Sequence, residues 1–148
     1  MTSMTVYLAA DHRGFVLKEA LKEYLLAQGH AVTDCGALAL QFDDDYPDFA
    51  REMAWRVARD RGSRGIAICG SGTGMAIAAN KVRGIRAATA RTPSDAQAAR
   101  TDEDANVLAL GADHLDFDRT QTIVDAFLVT PASNEERHVR RRIMIEGA

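Results

Sequence analysis

Short apolar runs alternate along the chain with longer segments in which apolar residues recur every three or four positions. The short runs indicate strands, and the longer period indicates amphipathic helices. Strands are predicted at residues 5–10, 31–35, 66–69, 85–90 and 106–110. Helices are predicted between them; Pro47 and Pro93 open two of these helices, and Gly29 ends the first.

This order of elements predicts an α/β fold. Strands separated by about a dozen helical residues favour right-handed crossovers, which give a parallel sheet with helices on both faces. We therefore predict a Rossmann-like three-layer fold with a five-stranded parallel sheet and a C-terminal basic helix after Pro131. Because neither a linker nor a repeat is evident, residues 1–148 are predicted to form a single domain.

The segment from Cys69 to Gly74 has the sequence Cys-Gly-Ser-Gly-Thr-Gly and follows the third strand. Alternate glycines let backbone N–H groups approach an anion, and residues 75–81 predict a helix whose N-terminus faces the same point. A thiol beside such donors suits a base or nucleophile next to developing negative charge. The pattern is also typical of a plain helix-start turn with Cys69 as a buried apolar residue.

Ligands of open parallel sheets bind beyond the carboxyl ends of the strands. Asp11 and His12 follow the first strand, and the Cys69 loop follows the third, so we expect these groups to meet in one cleft. Tyr46, which ends an acidic run, is expected to line the same cleft. Cys35 is expected to be structural, because no glycine-rich loop follows it.

The last predicted helix concentrates positive charge in residues 137–142, Arg-His-Val-Arg-Arg-Arg. Arg137 and Arg141 lie four residues apart and share a helix face, where two guanidinium groups suit a phosphate. The alternative is a solvated basic helix paired with Glu135 and Glu136. A helix after the last sheet element could also reach a neighbouring subunit and complete its site.

Composition excludes several classes of function. The net charge of −3 gives no general attraction to nucleic acid or to an anionic membrane. Neither a membrane span nor a secretory leader is evident, so a cytoplasmic location is expected, in which Cys35 and Cys69 would be free thiols. The four histidines show no paired ligand spacing, so neither a metal nor another cofactor is predicted.

Several segments together resemble the ribose-5-phosphate isomerase B family, which includes the galactose-6-phosphate isomerase subunits. They cover nearly the whole chain and comprise residues 10–14 (Ala-Asp-His-Arg-Gly), 45–47, 69–74, 78–81, 84–87, 106–108 and 137–138 with Arg141. The resemblance implies metal-free interconversion of a small aldose phosphate and ketose phosphate, with ribose 5-phosphate to ribulose 5-phosphate as the leading reaction. It also implies a homodimer, in some members a tetramer, with sites between subunits.

By this resemblance, Cys69 is the base that moves a proton between C1 and C2 through a cis-enediolate, and Ser71 assists the oxyanion. Asp11 would orient sugar hydroxyls, and His12 and the terminal arginines would contact the phosphate. The predicted catalytic residues are Cys69, Ser71 and Asp102. The predicted substrate-binding residues are Asp11, His12, Gly70, Ser71, Gly72, Thr73, Gly74, Glu103, Arg137, His138 and Arg141.

Three positions depart from the family pattern. Pentose-phosphate members have a ring-opening histidine, an asparagine and a phosphate-binding arginine where this chain has Asp102, Glu103 and Asp113. Asp102 can replace the histidine only where its surroundings keep it protonated. Asp113 would repel a phosphate unless an arginine of a neighbouring subunit intervenes, so either the phosphate lies elsewhere or the substrate differs.

Other functions stay open at this point. A tetrose 4-phosphate, which cannot close a furanose ring, or a hexose 6-phosphate is an alternative substrate. A non-catalytic sugar-phosphate binding protein would keep the glycine loop and the arginines without needing a thiolate. A cysteine-dependent hydrolase or phosphatase is disfavoured, because no arginine follows the loop and no Cys–His motif beyond His12 is evident.

Overall fold

The computed structural model describes residues 2–147, which form five strands and six helices. In chain order these are β1 (Thr5–Ala10), α1 (Phe15–Ala27), β2 (Ala31–Asp34), α2 (Tyr46–Arg59), β3 (Arg64–Cys69), α3 (Thr73–Ala79), β4 (Ala87–Thr89), α4 (Pro93–Glu103), β5 (Val107–Gly111), α5 (Phe117–Val129) and α6 (Glu136–Glu146).

The five strands form one sheet in the order β2-β1-β3-β5-β4, and every pair is parallel. The predicted five-stranded parallel α/β fold is therefore confirmed. From β1 the chain passes to β2 on one side and then to β3 on the other. This reversal opens a crevice at the carboxyl ends of β1 and β3, the place where such sheets bind ligands.

Helices cover both faces of the sheet. α1, α4 and α5 pack on one face, and α2 and α3 pack on the other. Side chains alternate between the faces along β3: Ile66 and Ile68 enter the first core, whereas Ala67 and Cys69 enter the second. The thiol of Cys69 therefore lies on the side of α2 and α3.

Some element boundaries differ from the predictions. β3 begins at Arg64 rather than Ile66, because Arg64 pairs with Val6 of β1 and Gly65 pairs with Val107 of β5. β4 spans three residues rather than 85–90, since only Ala87, Ala88 and Thr89 pair with its single partner, β5. α3 spans Thr73–Ala79 rather than 75–81, and the side chain of Asn80 then bonds the backbone of Ala87.

The C-terminal helix α6 packs against α4, and none of its described residues is buried. Its exposed apolar side chains include Ile143, Met144 and Ile145. Within residues 2–147, no helix has both the length and the apolarity needed to cross a membrane.

A buried lysine connects α1 to β2. Lys18 is fully buried, and its Nζ donates to Asp34 Oδ2 at 2.6 Å and to Glu19 Oε1 at 2.9 Å. Burial raises the pKa of Asp34, but hydrogen bonds from Lys18, the N–H of Gly36 and Lys22 outweigh burial and hold that pKa below its ordinary value. The carboxylate of Asp34 thus compensates the charge of a lysine that has no access to water.

We expect Asp34→Asn to lower the free energy of unfolding by about 3 kcal/mol at pH 7. Breaking a buried ion pair costs roughly 3–5 kcal/mol, and Glu19 still accepts from Lys18. Because folding lowers the pKa of Asp34, the wild-type advantage is present above the unfolded-state pKa and disappears as the pH falls through the folded-state pKa. Urea unfolding of both proteins across this pH range measures the difference.

The control for Asp34→Asn is Glu52→Gln, which removes an exposed pair with Arg56 on α2. Its effect should be close to zero, since exposed pairs gain little over their contacts with water. Equal losses in the two variants would show that burial of Lys18 does not determine the strength of the pair with Asp34.

Candidate active site

The turn between β1 and α1 is held against the end of β3. The N–H of Asp11 donates to the carbonyl of Ile68 at 3.3 Å, and a methyl group added at Gly14 would overlap the same carbonyl. The buried Asp11 carboxylate accepts the N–H groups of Arg13 and Gly14 on Oδ1, at 3.0 and 3.2 Å. The segment after β1 is therefore fixed beside Cys69.

Cys69 is buried at the carboxyl end of β3. The N–H of Gly72 donates to its Sγ at 3.2 Å, and the N–H of Thr73 donates to Ser71 Oγ at 3.2 Å. Gly72 has φ 84°, a left-handed conformation that glycine adopts freely and from which α3 begins. A donor aimed at the sulfur stabilises negative charge on it, which is what a thiolate base requires.

An aromatic ring covers the far end of the glycine loop. A methyl group added at Gly74 would overlap the ring of Tyr46, whose residue is 39% exposed. The ring packs on the backbone, so Gly74 is required by close contact. Tyr46 thus borders the loop that carries Cys69, as the sequence predicted.

His12 is oriented by a carboxylate that sequence reasoning missed. Its Nδ1 lies 2.7 Å from Asp44 Oδ1, and its backbone N–H donates to the same oxygen at 3.0 Å. The side chain of Asp44 is almost fully buried, and the edge of the His12 ring contacts Phe42. The acidic run at residues 43–45 was the available signal, but nothing in the sequence indicates which carboxylate turns inward.

Asp11, His12 and Asp44 are also the described residues that could hold a metal ion. Each offers one ligand atom, and the three atoms lie within 4.8 Å of one another. Oδ1 of Asp11 and Oδ1 of Asp44 already accept hydrogen bonds from backbone N–H groups. The bonds to Asp44 account for the closeness of His12 and Asp44 without an ion.

Asp113 lies beside the glycine loop and pairs with Arg13. The N–H of Asp113 donates to the carbonyl of Gly70 at 3.0 Å, and the adjacent N–H of Ala112 donates to the carbonyl of Cys69 at 2.8 Å. The Arg13 guanidinium forms an ion pair with the Asp113 carboxylate. The arginine that pairs with Asp113 therefore belongs to the same chain, whereas sequence reasoning had considered only an arginine of a neighbouring subunit.

The remaining predicted site residues form a second group. α4 runs back from the end of the sheet where the strands have their carboxyl ends. Asp102 and Glu103, at the end of α4, therefore lie just before β5, at the amino end of the sheet. His138 Nε2 of α6 is 3.7 Å from Asp102 Oδ1. Arg137 pairs with Glu135 at 3.1 Å, as the alternative of a solvated basic helix predicted, and Arg141 is exposed.

The structure does not bring these two groups together within one chain. The first group comprises Asp11, His12 and the Cys69 loop and lies at the carboxyl end of the sheet. The second group lies at the amino end. A cavity of about 650 Å³ also lies at the amino end of the sheet, where Arg86, Glu103 and Ile145 contribute to its lining. It includes none of the residues of the Cys69 loop.

These features define an α/β protein with a buried thiol and a glycine loop at the topological switch point of a parallel sheet. The chain belongs to the ribose/galactose isomerase family, whose model matches residues 6–145.

Individual relatives agree with this assignment. Ribose-5-phosphate isomerase B of Mycobacterium tuberculosis is 45% identical over 141 residues, which cover 95% of this chain and 87% of the relative. A ribose 5-phosphate isomerase structure from Thermotoga maritima has a TM-score of 0.94 and 39% identity, and the match covers 99% of this chain and 100% of that one. The Mycoplasma genitalium enzyme with bound ribulose 5-phosphate has a TM-score of 0.93 and 36% identity, with 99% and 97% covered. The predicted family resemblance is confirmed.

Proposed function

We propose that this chain interconverts ribose 5-phosphate and ribulose 5-phosphate, with Cys69 as the base. The observation that carries the proposal is the thiol itself, buried at the carboxyl end of β3 with the Gly72 N–H donating to its sulfur. A related structure that holds ribulose 5-phosphate supports the choice of substrate. A non-catalytic binding protein would have no use for a donor placed on a thiol.

The reaction requires a proton to move between two neighbouring carbons. The Cys69 thiolate takes the proton from C2 of the open-chain aldose, and the C2–H bonding electrons form the C1–C2 double bond of a cis-enediolate. Negative charge then develops on O1, where N–H groups of residues 70–74 and the Ser71 hydroxyl would stabilise it. Return of the proton to C1, with the hydroxyl proton passing from O2 to O1, gives the ketose.

The residues around the thiol would hold the rest of the sugar. Asp11 uses Oδ1 for two backbone N–H groups, which leaves Oδ2 to accept from a sugar hydroxyl. Asp44 fixes His12 through Nδ1, which leaves Nε2 for the substrate phosphate. No step in this scheme requires a metal ion or another cofactor.

The active assembly is proposed to be a homodimer with composite sites. Within one chain, α6 packs on the end of α4, where His138 and Arg142 contact Asp102 at the amino end of the sheet, so a second copy would bring the terminal arginines to a Cys69 loop. Exposed apolar side chains on α6 and on the loop before α2 offer contact area for such a copy; they include Ile143, Met144, Leu38 and Phe42. The cytoplasm is the proposed location, since a phosphorylated pentose is an intracellular metabolite.

The test of this function is a panel of tetrose, pentose and hexose phosphates assayed for aldose–ketose interconversion. We expect ribose 5-phosphate to give the highest kcat/KM and to incorporate solvent deuterium at the carbons that exchange a proton. A protein that binds these sugars without any deuterium exchange would be the non-catalytic alternative. Preference for a tetrose 4-phosphate or a hexose 6-phosphate would reassign the substrate but keep the chemistry.

Asp102 is proposed to take part in opening the furanose ring as an acceptor of the anomeric hydroxyl proton, because its half-exposed side chain, 3.7 Å from His138, does not have the surroundings expected to keep it protonated. We expect Asp102→Asn to reduce kcat/KM for ribose 5-phosphate by about 10²-fold, the lower range for loss of acid–base assistance. A tetrose 4-phosphate has no ring to open, so turnover of that substrate should be unchanged. Equal losses with both substrates would remove Asp102 from ring opening.

A further inference from the structure

Two adjacent residues that can carry positive charge follow β1, and a carboxylate holds each of them. His12 is held by Asp44, and Arg13 is held by Asp113. Their backbone N–H groups are fixed as well, by Asp44 and Asp11. The family assignment and the proposed reaction give Arg13 no role, although it is the arginine that lies on the Cys69 loop.

The Arg13 guanidinium packs on Gly70, the first residue after Cys69. A methyl group added at Gly70 would overlap the guanidinium carbon and two of its nitrogens, so the group lies directly on the backbone of the loop. The Asp113 carboxylate pairs with the guanidinium there, and the Asp113 backbone is itself fixed to the loop, since its N–H donates to the Gly70 carbonyl. The cation is therefore positioned at the loop and is not a freely moving surface charge.

The Arg13–Asp113 pair is open to a competing anion. The two side chains are 53% and 45% exposed, and an exposed pair of this kind adds little to stability. A guanidinium has five N–H donors, and the pair with Asp113 involves only Nη2. A phosphate dianion carries more charge than a carboxylate and accepts two parallel N–H donors, so it competes well for such a group.

We propose that Arg13 binds the phosphate of the substrate and that Asp113 holds its guanidinium in place until the phosphate arrives. The inference rests on the proposed function for the identity of the sugar, but the site for the phosphate itself does not depend on turnover. It assigns the positive charge beside the loop to residue 13. Because Asp113 uses only Nη2, the carboxylate at position 113 and the phosphate can share the guanidinium.

The experiment compares Arg13→Ala with the double variant Arg13→Ala/Asp113→Asn, using inorganic phosphate as the probe. The rise of Tm with phosphate concentration gives a Kd without any turnover. Arg56→Ala is the control, since Arg56 is an exposed arginine paired with Glu52 on α2. KM and kcat for ribose 5-phosphate are measured with the same proteins.

We expect both Arg13 variants to weaken phosphate binding and to raise KM by roughly 10- to 100-fold, the range for one charge-assisted contact, whereas kcat changes less than about threefold. Arg56→Ala should match the wild type. If the double variant binds phosphate as the wild type does, Arg13 merely neutralises Asp113 and the proposal is wrong. A wild type that binds phosphate through Arg13 without isomerising ribose 5-phosphate would refute the proposed function alone.

Discussion

Cys69→Ala is expected to lower kcat for ribose 5-phosphate by about 10³-fold or more, because it removes the base that transfers the proton. Binding of the sugar phosphate should persist, since Asp11, His12 and the loop backbone remain. Exchange of solvent deuterium into the sugar should fall by the same factor as kcat. Assays quenched at fixed times measure kcat, and proton NMR of the recovered sugar measures the deuterium incorporated.

Two further variants separate chemistry from structure in this experiment. Cys69→Ser keeps an acceptor for the Gly72 N–H but is a much weaker base at neutral pH, so it should be nearly as slow as the alanine variant. Cys35→Ala is the matched control: burial raises the pKa of Cys35 to about 11, so that thiol is neutral and its loss should spare kcat. A Cys69→Ala enzyme with more than a tenth of the wild-type kcat would exclude the thiolate mechanism.

The fold was predictable because local and global signals agree. The apolar runs are separated by helical segments of sufficient length, and that spacing favours parallel crossovers. The order of the strands could not be read in the same way, since it depends on which edge each crossover joins. β4 is also shorter than its apolar run, because only Ala87, Ala88 and Thr89 pair with β5.

The candidate site was predictable only in its local parts. Asp11, His12 and Cys69 were identified from the sequence because each follows or ends a strand, and the carboxyl ends of parallel strands lie together at one end of the sheet. Asp44 and the Arg13–Asp113 pair were not found, because they join segments that the sequence does not relate. Neutralisation of Asp113 by Arg13 depends on two loops meeting over Gly70, which is a property of the folded chain.

The helix N-terminus predicted to support the anion site contributes less than the sequence indicated. α3 has only seven residues, too few for a substantial macrodipole, and it begins at Thr73 rather than at Met75. The donors come instead from the turn that precedes it, where the Gly72 N–H already contacts Cys69 Sγ. Donors fixed in a glycine-containing turn need no long helix behind them.

The predicted site residues lie in two groups at opposite ends of the sheet, so a complete site is expected to need two chains. If each site combines Cys69 of one chain with Arg137 and Arg141 of another, then Cys69→Ala and Arg137→Ala/Arg141→Ala homodimers should both be nearly inactive. Mixing and refolding them in equal amounts should restore about one quarter of wild-type activity. Half of the dimers are then hybrids, and each hybrid has one intact site of two.

Light scattering first establishes the mass of the wild type, and differently tagged subunits report that hybrids have formed. The control mixture pairs the Cys69→Ala variant with a chain that carries all three substitutions; its hybrids have no intact site and should stay inactive. Activity no greater than the sum of the two parents, in a sample that contains hybrids, would contradict a shared site. The arginines would then act on their own chain, and α6 would have to move from the amino end of the sheet to reach Cys69.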